Sequence, residues 1–170
     1  MSKAGKLNNN RAFTLVELGV VMLLMCIFCV LALPLLGSVG SGSMRRSADR
    51  LAAMARYLYN ETALTACRHR LVLDIDRGVA RAQVFDRRQW RATGATVRAY
   101  HLPDNVSIKD VWIEDRGLLN SGTATLQFHP QGYVSATTIH LRRRDGVQLS
   151  LHLLPLSASA EIEDGYRKFD

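Results

Sequence analysis

The chain of 170 residues has few of the residue types that cross-link or catalyse. Two of its three cysteines, Cys26 and Cys29, lie in an apolar run and are interpreted as helix packing, so Cys67 has no disulfide partner in the rest of the chain. There is no glycine-rich phosphate loop or nucleophile elbow, and no two of the five histidines have metal-ligand spacing. The sequence therefore predicts no enzyme, no metal site and no cofactor, and it predicts surface histidines.

The sequence does contain one long uncharged apolar run, residues 18–36. As a helix this run would span about 28 Å, close to the bilayer core of about 30 Å, and it predicts one membrane crossing. The alternative is a secretory signal peptide cleaved at the small residues 38–40, which would leave a mature terminus near Ser41. The run is longer than the usual apolar segment of a signal peptide, about 7–15 residues, which favours the crossing.

A carboxylate stands at the start of this run. Glu17 follows Ala12-Phe13-Thr14-Leu15-Val16 and a basic leader. A carboxylate at the mouth of a membrane helix costs about 2.5–3.5 kcal/mol, so we interpret Glu17 as functional. The leader, Phe13, Glu17 and Pro34 together resemble the cleavage and methylation segment of type IV prepilins and type II secretion pseudopilins. The basic residues of the leader are Lys3, Lys6 and Arg11.

The resemblance implies a role for each residue of this segment. A prepilin peptidase would cut between Ala12 and Phe13, and Phe13 would be N-methylated; Ala12 stands where the family has glycine. Glu17 would pair with the new amine of an adjacent subunit, and Thr14 and Pro34 would also serve assembly. Proline removes one helical hydrogen bond, so Pro34 predicts a kink.

Four segments are expected. Residues 1–12 form the leader peptide, and residues 13–36 form the transmembrane and filament-core helix. Residues 37–43 form a flexible Gly/Ser segment, because its three glycines each cost about 1 kcal/mol in a helix relative to alanine. Residues 44–170 form a periplasmic globular head. The expected fold class is α+β, a long N-terminal helix packed on an antiparallel β-sheet head.

Periodicity within the head predicts an amphipathic helix from Met44 to about Ala66, followed by short strands. The apolar stripe of this helix comprises Met44, Ala48, Leu51, Ala55, Leu58 and Thr62. The predicted strands cover residues 71–75, 80–85, 97–102, 106–113, 123–128, 137–142, 147–153 and 160–162. Helix and strands together predict that the stripe packs on a sheet formed by the rest of the chain.

The last hairpin allows a prediction of register. A three-residue loop over 144–146, with Gly146 left-handed, separates apolar from polar side chains on the two faces, whereas a two-residue loop mixes them. The predicted apolar pairs are Ile139 with Leu151 and Leu141 with Leu149. The predicted polar pairs are His140 with Ser150 and Arg142 with Gln148.

The stretch 126–132, the strand at 139–141 and the Asp145-Gly146 hairpin resemble the heads of GspH/FimT-type minor pseudopilins. The resemblance implies a minor pseudopilin of a type II secretion system. Such a subunit is held in the bacterial inner membrane by a single pass, carries its head in the periplasm and assembles into a short pseudopilus that drives export. The implied partners are other major and minor pseudopilins, the prepilin peptidase and an inner-membrane assembly platform.

The alternative is a minor pilin of a type IV pilus or DNA-uptake machine with a DNA-binding head. The run Arg142-Arg143-Arg144 is the candidate nucleic-acid site, together with Arg87, Arg88 and Arg91. Without the leader, basic side chains exceed acidic ones by only four, and no aromatic residues for base stacking are interleaved with the arginines of the run 142–144. The sequence therefore favours a solvated hairpin tip, and no nucleic-acid partner is expected.

Overall fold

The computed structural model describes residues 15–93, 97–157 and 159–168, without the side chains of 31–41. The long helix α1 begins at Leu15 and ends at Thr65. Ala66, with a positive φ of 54°, terminates it, which confirms the predicted end. The chain divides into two compact units, Met1–Gly40 and Ser41–Asp170.

Helix α1 is continuous through residues 37–43. The predicted flexibility of this segment is a separate property and stays a prediction. The predicted kink also stays a prediction, since the side chain of Pro34 lies outside the part that the structure describes.

Two antiparallel sheets follow α1. The strands are β1 His69–Asp74, β2 Val79–Asp86, β3 Gln89–Ala92, β4 Tyr100–His101, β5 Val106–Ile113, β6 Gly117–Leu119, β7 Thr123–His129, β8 Tyr133–Val134, β9 Thr137–Arg143, β10 Gln148–Leu153 and β11 Ala160–Asp164. Sheet A has the order β3-β2-β1-β7-β8, with β4 also on β2, and sheet B has the order β11-β10-β9-β5-β6. The α+β class with an antiparallel head is confirmed.

The strand predicted over 97–102 is wrong in extent, because only Tyr100–His101 pair with β2. Val97, Tyr100 and Leu102 are partly buried against the core. Their apolar alternation therefore reflects side-chain packing and not a full hydrogen-bonded ladder. The short strands β3, β6 and β8 had not been predicted, since two to four residues carry little periodicity.

The core lies between α1 and the inner faces of both sheets. Every residue of the predicted stripe is buried, with Ala48, Leu51, Ala55 and Leu58 fully so. The same cluster contains β1 side chains of sheet A and β9 and β10 side chains of sheet B. Each fully buried leucine contributes about 1.5–3 kcal/mol, so α1 is fixed in the head by its apolar stripe.

The register of the β9–β10 hairpin agrees with the prediction at all four pairs. Ile139 faces Leu151, Leu141 faces Leu149, His140 faces Ser150 and Arg142 faces Gln148. Gly146 has a φ of 91°, and its N–H donates to the Arg143 carbonyl over 2.9 Å. The three-residue loop is confirmed.

The prediction of surface histidines is wrong for three of the five. His69, His140 and His152 are only 2%, 2% and 5% exposed. His140 lies on the outer, polar face of sheet B, where Tyr166 of the C-terminal tail stacks on its ring at 4.0 Å between centroids. The chain returns over that face after β11, so a position with polar periodicity is shielded from solvent.

The C-terminal tail, residues 165–168, is attached to sheet B mainly through Ser150. The Ser150 hydroxyl donates to the Gly165 carbonyl over 2.7 Å and accepts from the Arg167 N–H over 3.1 Å. The Gly165 N–H donates to the Gln148 carbonyl over 2.9 Å. Lys109 lies 4.0 Å over the ring of Tyr166. The tail is therefore part of the folded head.

Candidate functional site

Most of the predicted processing residues lie outside the described part of the chain. This holds for Ala12, Phe13 and Thr14. Glu17 is described: it lies in the first turn of α1, with an exposed side chain.

The first part of α1, residues 15–30, carries many exposed apolar side chains. The larger ones are Leu15, Val16, Leu18, Val20, Val21, Met22, Leu23, Leu24, Met25, Ile27, Phe28 and Val30. Among the side chains that the structure describes, no helix reaches the length and apolarity that a membrane crossing needs. The predicted crossing, residues 13–36, includes residues at both ends that lie outside that description.

The arginine run at the β9–β10 turn is not a set of three free cations. The Arg143 side chain is only 14% exposed and makes two hydrogen bonds to the Asp145 carboxylate, of 2.8 and 2.6 Å. These bonds are the main reason that the pKa of Asp145 is lowered. Arg144 donates to the Asp104 carbonyl over 3.3 Å. Arg142 and Arg144 remain exposed, whereas the charge of Arg143 is compensated.

The second predicted group of arginines lies on the other sheet. Arg87 and Arg88 form the turn between β2 and β3, at φ values of 45° and 65°, and Arg91 lies in β3. These strands belong to sheet A, whereas the arginine run belongs to sheet B. The structure therefore does not join the two groups within one sheet.

Sheet A carries a cluster of arginine and aromatic side chains that had not been predicted from the sequence. The Arg68 guanidinium lies 4.4 Å over the ring of Phe85, and the Arg70 guanidinium lies 4.1 Å over the ring of Trp90. The two rings are 5.1 Å apart between centroids, at 58°. Phe85 and Trp90 flank a turn, so their pairing could have been inferred from a β2–β3 hairpin. The contacts of these rings with Arg68 and Arg70 could not be inferred in this way, because they depend on the pairing of β1 with β2.

The outer face of sheet B contains a buried ionisable pair. His140 Nδ1 contacts the Asp110 carboxylate, and His140 Nε2 donates to the Arg167 carbonyl over 3.0 Å. A carbonyl only accepts, so Nε2 carries a proton, and a second proton lies between Nδ1 and Asp110. Within the described part of the chain, no group of three or more histidines, cysteines and carboxylates is arranged to hold a metal ion.

His69 connects the end of α1 to sheet A. Its Nδ1 lies 3.0 Å from the Thr62 hydroxyl and 3.0 Å from the Cys67 carbonyl. Burial lowers the pKa of His69 below 6.5, partly opposed by the hydrogen bond with Cys67. Burial also lowers the pKa of His152. Both imidazoles are therefore favoured in the neutral form when the chain is folded.

We expect acid to destabilise the head through these two histidines. Below about pH 6.5 these two histidines bind protons in the unfolded chain but stay neutral in the folded chain. The free energy of unfolding therefore falls as the pH drops towards the lowered pKa values. Above that pH both states are neutral and the effect vanishes. Urea unfolding between about pH 7.5 and 5 measures the slope. His69→Gln should reduce the slope, whereas His101→Gln, at an exposed position, should leave it unchanged. Equal slopes in wild type and His69→Gln would contradict this assignment.

A long N-terminal helix packed on antiparallel sheets is the architecture of pilin-like proteins, and this chain has that fold. Solved structures of the minor pseudopilin EpsH from the type II secretion system of Vibrio cholerae are similar to it. One has a TM-score of 0.61 at 12% identity and covers 76% of this chain and 99% of its own. Another has a TM-score of 0.56 at 12% identity and covers 72% and 97%. No family model and no curated protein matches. The pseudopilin-like fold inferred from the sequence is thus confirmed.

Proposed function

We propose that this chain is a minor pseudopilin of a type II secretion system, built into a short periplasmic pseudopilus that drives protein export across the outer membrane. The proposal is carried by the presence of two features in the same chain. Helix α1 begins with an exposed apolar stretch that has Glu17 in its first turn, and the same helix ends in a head with the fold of EpsH. An exposed apolar surface of this kind indicates a partner, either lipid or other subunits.

In this proposal the chain is first inserted in the bacterial inner membrane by a single pass, residues 13–36, with the head in the periplasm. The prepilin peptidase cuts between Ala12 and Phe13, and Phe13 is N-methylated. Glu17 then pairs with the cationic amine of an adjacent subunit, which offsets the desolvation of both charges and fixes the axial stagger. Thr14 and Pro34 lie on the same assembly segment.

The proposed role is structural and not catalytic. Other major and minor pseudopilins pack against the apolar part of α1, and the head selects its neighbours. The inner-membrane assembly platform passes the subunit from the bilayer into the filament, driven by a separate ATPase. The buried pair of His140 and Asp110 serves the fold in this account, because the tail covers it and both ring nitrogens are engaged.

Mass spectrometry of the protein isolated from its native membranes tests the proposal. We expect a mature N-terminus at Phe13 with one added methyl group, because the peptidase recognises the leader and the start of the apolar run. Ala12→Gly, which introduces the residue found in the resembling families, should be cleaved at least as completely. An intact N-terminus, or one near Ser41, would overturn the proposal.

A further inference from the structure

One surface of the head carries a group of positive charges that lies outside the proposed assembly segment. The arginine-aromatic face consists of Arg68, Arg70, Arg81, Phe85 and Trp90. Directly opposed residues of antiparallel strands share a face, and the register opposes Arg70 to Gln83, Val72 to Arg81 and Phe85 to Trp90. This is the side of sheet A opposite to the buried Leu71 and Leu73.

None of the three arginines on this face has a carboxylate partner among the described residues. The ion pairs of the described part involve other side chains: His140 with Asp110, Arg143 with Asp145 and Arg167 with Glu163. Arg70 donates its Nε–H to the Gln83 side chain over 2.6 Å, a neutral acceptor. Burial lowers the pKa of Arg70, which indicates a guanidinium that has lost water without gaining a counter-charge.

The geometry specifies which anion this face accepts. The guanidinium groups of Arg68 and Arg70 already lie over aromatic rings, with Cζ 4.4 and 4.1 Å from the ring centroids, so a nucleic-acid base would have to displace an arginine before it could stack. Arg70 donates its Nε–H to Gln83, so the edge that it keeps available is the one with its two Nη groups. The edge of a guanidinium presents paired N–H groups that match the two oxygens of a carboxylate.

We propose that the arginine-aromatic face of sheet A is a docking surface for a carboxylate-rich segment of a neighbouring filament subunit. The aromatic rings hold the guanidinium groups of Arg68 and Arg70 in place, and Arg81 adds a third cation along the sheet. Charge complementarity therefore selects an acidic partner. This inference rests on the proposed function, since it assigns the neighbour that the head would select.

Fluorescence anisotropy of the full chain in detergent micelles tests the surface, with a labelled oligoglutamate peptide as the probe. We expect binding of oligoglutamate that weakens with salt, and no binding of a matched oligoglutamine peptide. Arg70→Gln/Arg81→Gln should weaken binding about tenfold or more, because two charge-assisted contacts are lost. Arg70→Lys should also weaken it, since lysine keeps the charge but lacks the planar pair of donors.

The matched control removes the same charge from the other sheet. Arg142→Gln/Arg144→Gln loses two exposed arginines of the hairpin tip and should bind oligoglutamate as the wild type does. Thermal unfolding of all variants establishes that they are folded. Equal losses in both double variants would show a nonspecific charge effect and overturn the proposal. Tighter binding of oligo-dT than of oligoglutamate, lost on Arg70→Gln/Arg81→Gln, would overturn it in favour of a nucleic-acid surface.

The two proposals fail separately. A mature N-terminus at Phe13 together with no oligoglutamate binding removes the docking surface and leaves the pseudopilin role in place. An unprocessed N-terminus together with arginine-dependent oligoglutamate binding removes the pseudopilin role. In that case the face still binds carboxylates, but its partner is not a filament subunit.

Discussion

Glu17→Val should reach the membrane at least as well as the wild type and yet enter the filament at about one tenth of the wild-type level or less. Replacing the carboxylate removes an insertion cost of about 2.5–3.5 kcal/mol, so the membrane fraction should not fall. It also removes the partner of the neighbouring amine. A charge-assisted bond contributes about 1.5–3 kcal/mol, which corresponds to at least a tenfold change in incorporation.

The measurement compares the amount of each variant in filaments isolated from the periplasm with the amount in the membrane, by quantitative immunoblot. Glu17→Asp keeps the charge and should retain more incorporation than Glu17→Gln, which keeps the shape but not the charge. This order separates charge from packing. If Glu17→Val is incorporated as efficiently as the wild type, the charge-pairing role of Glu17 is wrong.

Asp110→Ala should lower the free energy of unfolding of the head by about 1–3 kcal/mol, because it leaves Nδ1 of the buried His140 without its hydrogen-bond partner. The cost is large because His140 also donates to the Arg167 carbonyl, so the ring cannot turn to another acceptor without releasing the tail. Chemical denaturation near neutral pH measures the loss. Asp104→Ala, which removes an exposed carboxylate in the preceding turn, should change stability by less than about 0.5 kcal/mol.

The double variant Asp110→Leu/His140→Leu distinguishes the cost of one unpaired buried group from the loss of the pair as a whole. When both partners become apolar, no buried polar group of the pair is left without a partner, and much of the stability lost in Asp110→Ala should return. The tail still loses its bond to the ring of His140, so recovery should be incomplete. A loss below about 1 kcal/mol for Asp110→Ala would show that the pair is not a structural element of the head.

The β9–β10 hairpin was predictable because its information is local. Gly146 tolerates the left-handed backbone that a three-residue loop requires, and the apolar alternation on both strands permits a single register. The stripe of α1 from Met44 to Thr62 was predictable for a similar reason, since a helical period is visible within about 20 residues. Both structures follow from neighbours along the chain.

The burial of His140 was not predictable, because its environment comes from a distant segment. His140 and Ser150 occupy the polar side of their strands, and polar periodicity normally indicates solvent. The tail that covers these two side chains, residues 165–168, follows β11. It contains no apolar run, and its one aromatic residue is Tyr166, which stacks on His140. Its docking depends on hydrogen bonds whose partners become adjacent only in the folded head.

The arginine-aromatic face was missed for the same physical reason. Phe85 and Trp90 are local neighbours across a turn, but Arg68 and Arg70 reach them only through the pairing of β1 with β2. From the sequence, the candidate basic site was predicted at the three consecutive arginines 142–144, because a run of one residue type is visible without knowledge of the fold. In the structure one of these, Arg143, is compensated by Asp145, whereas the three arginines of the arginine-aromatic face are separated along the chain: Arg68 precedes β1, Arg70 lies in β1 and Arg81 lies in β2.

The C-terminal tail makes the two sides of the head unequal. Thr138, His140, Ser150 and His152, in the middle of the outer face of sheet B, are all buried, so these four side chains are not exposed to a neighbouring molecule. Over Arg70 on sheet A, the described residues include no comparable covering segment. If the proposed docking surface on sheet A is correct, the two sheets differ in function, and the head would join a filament in one direction only.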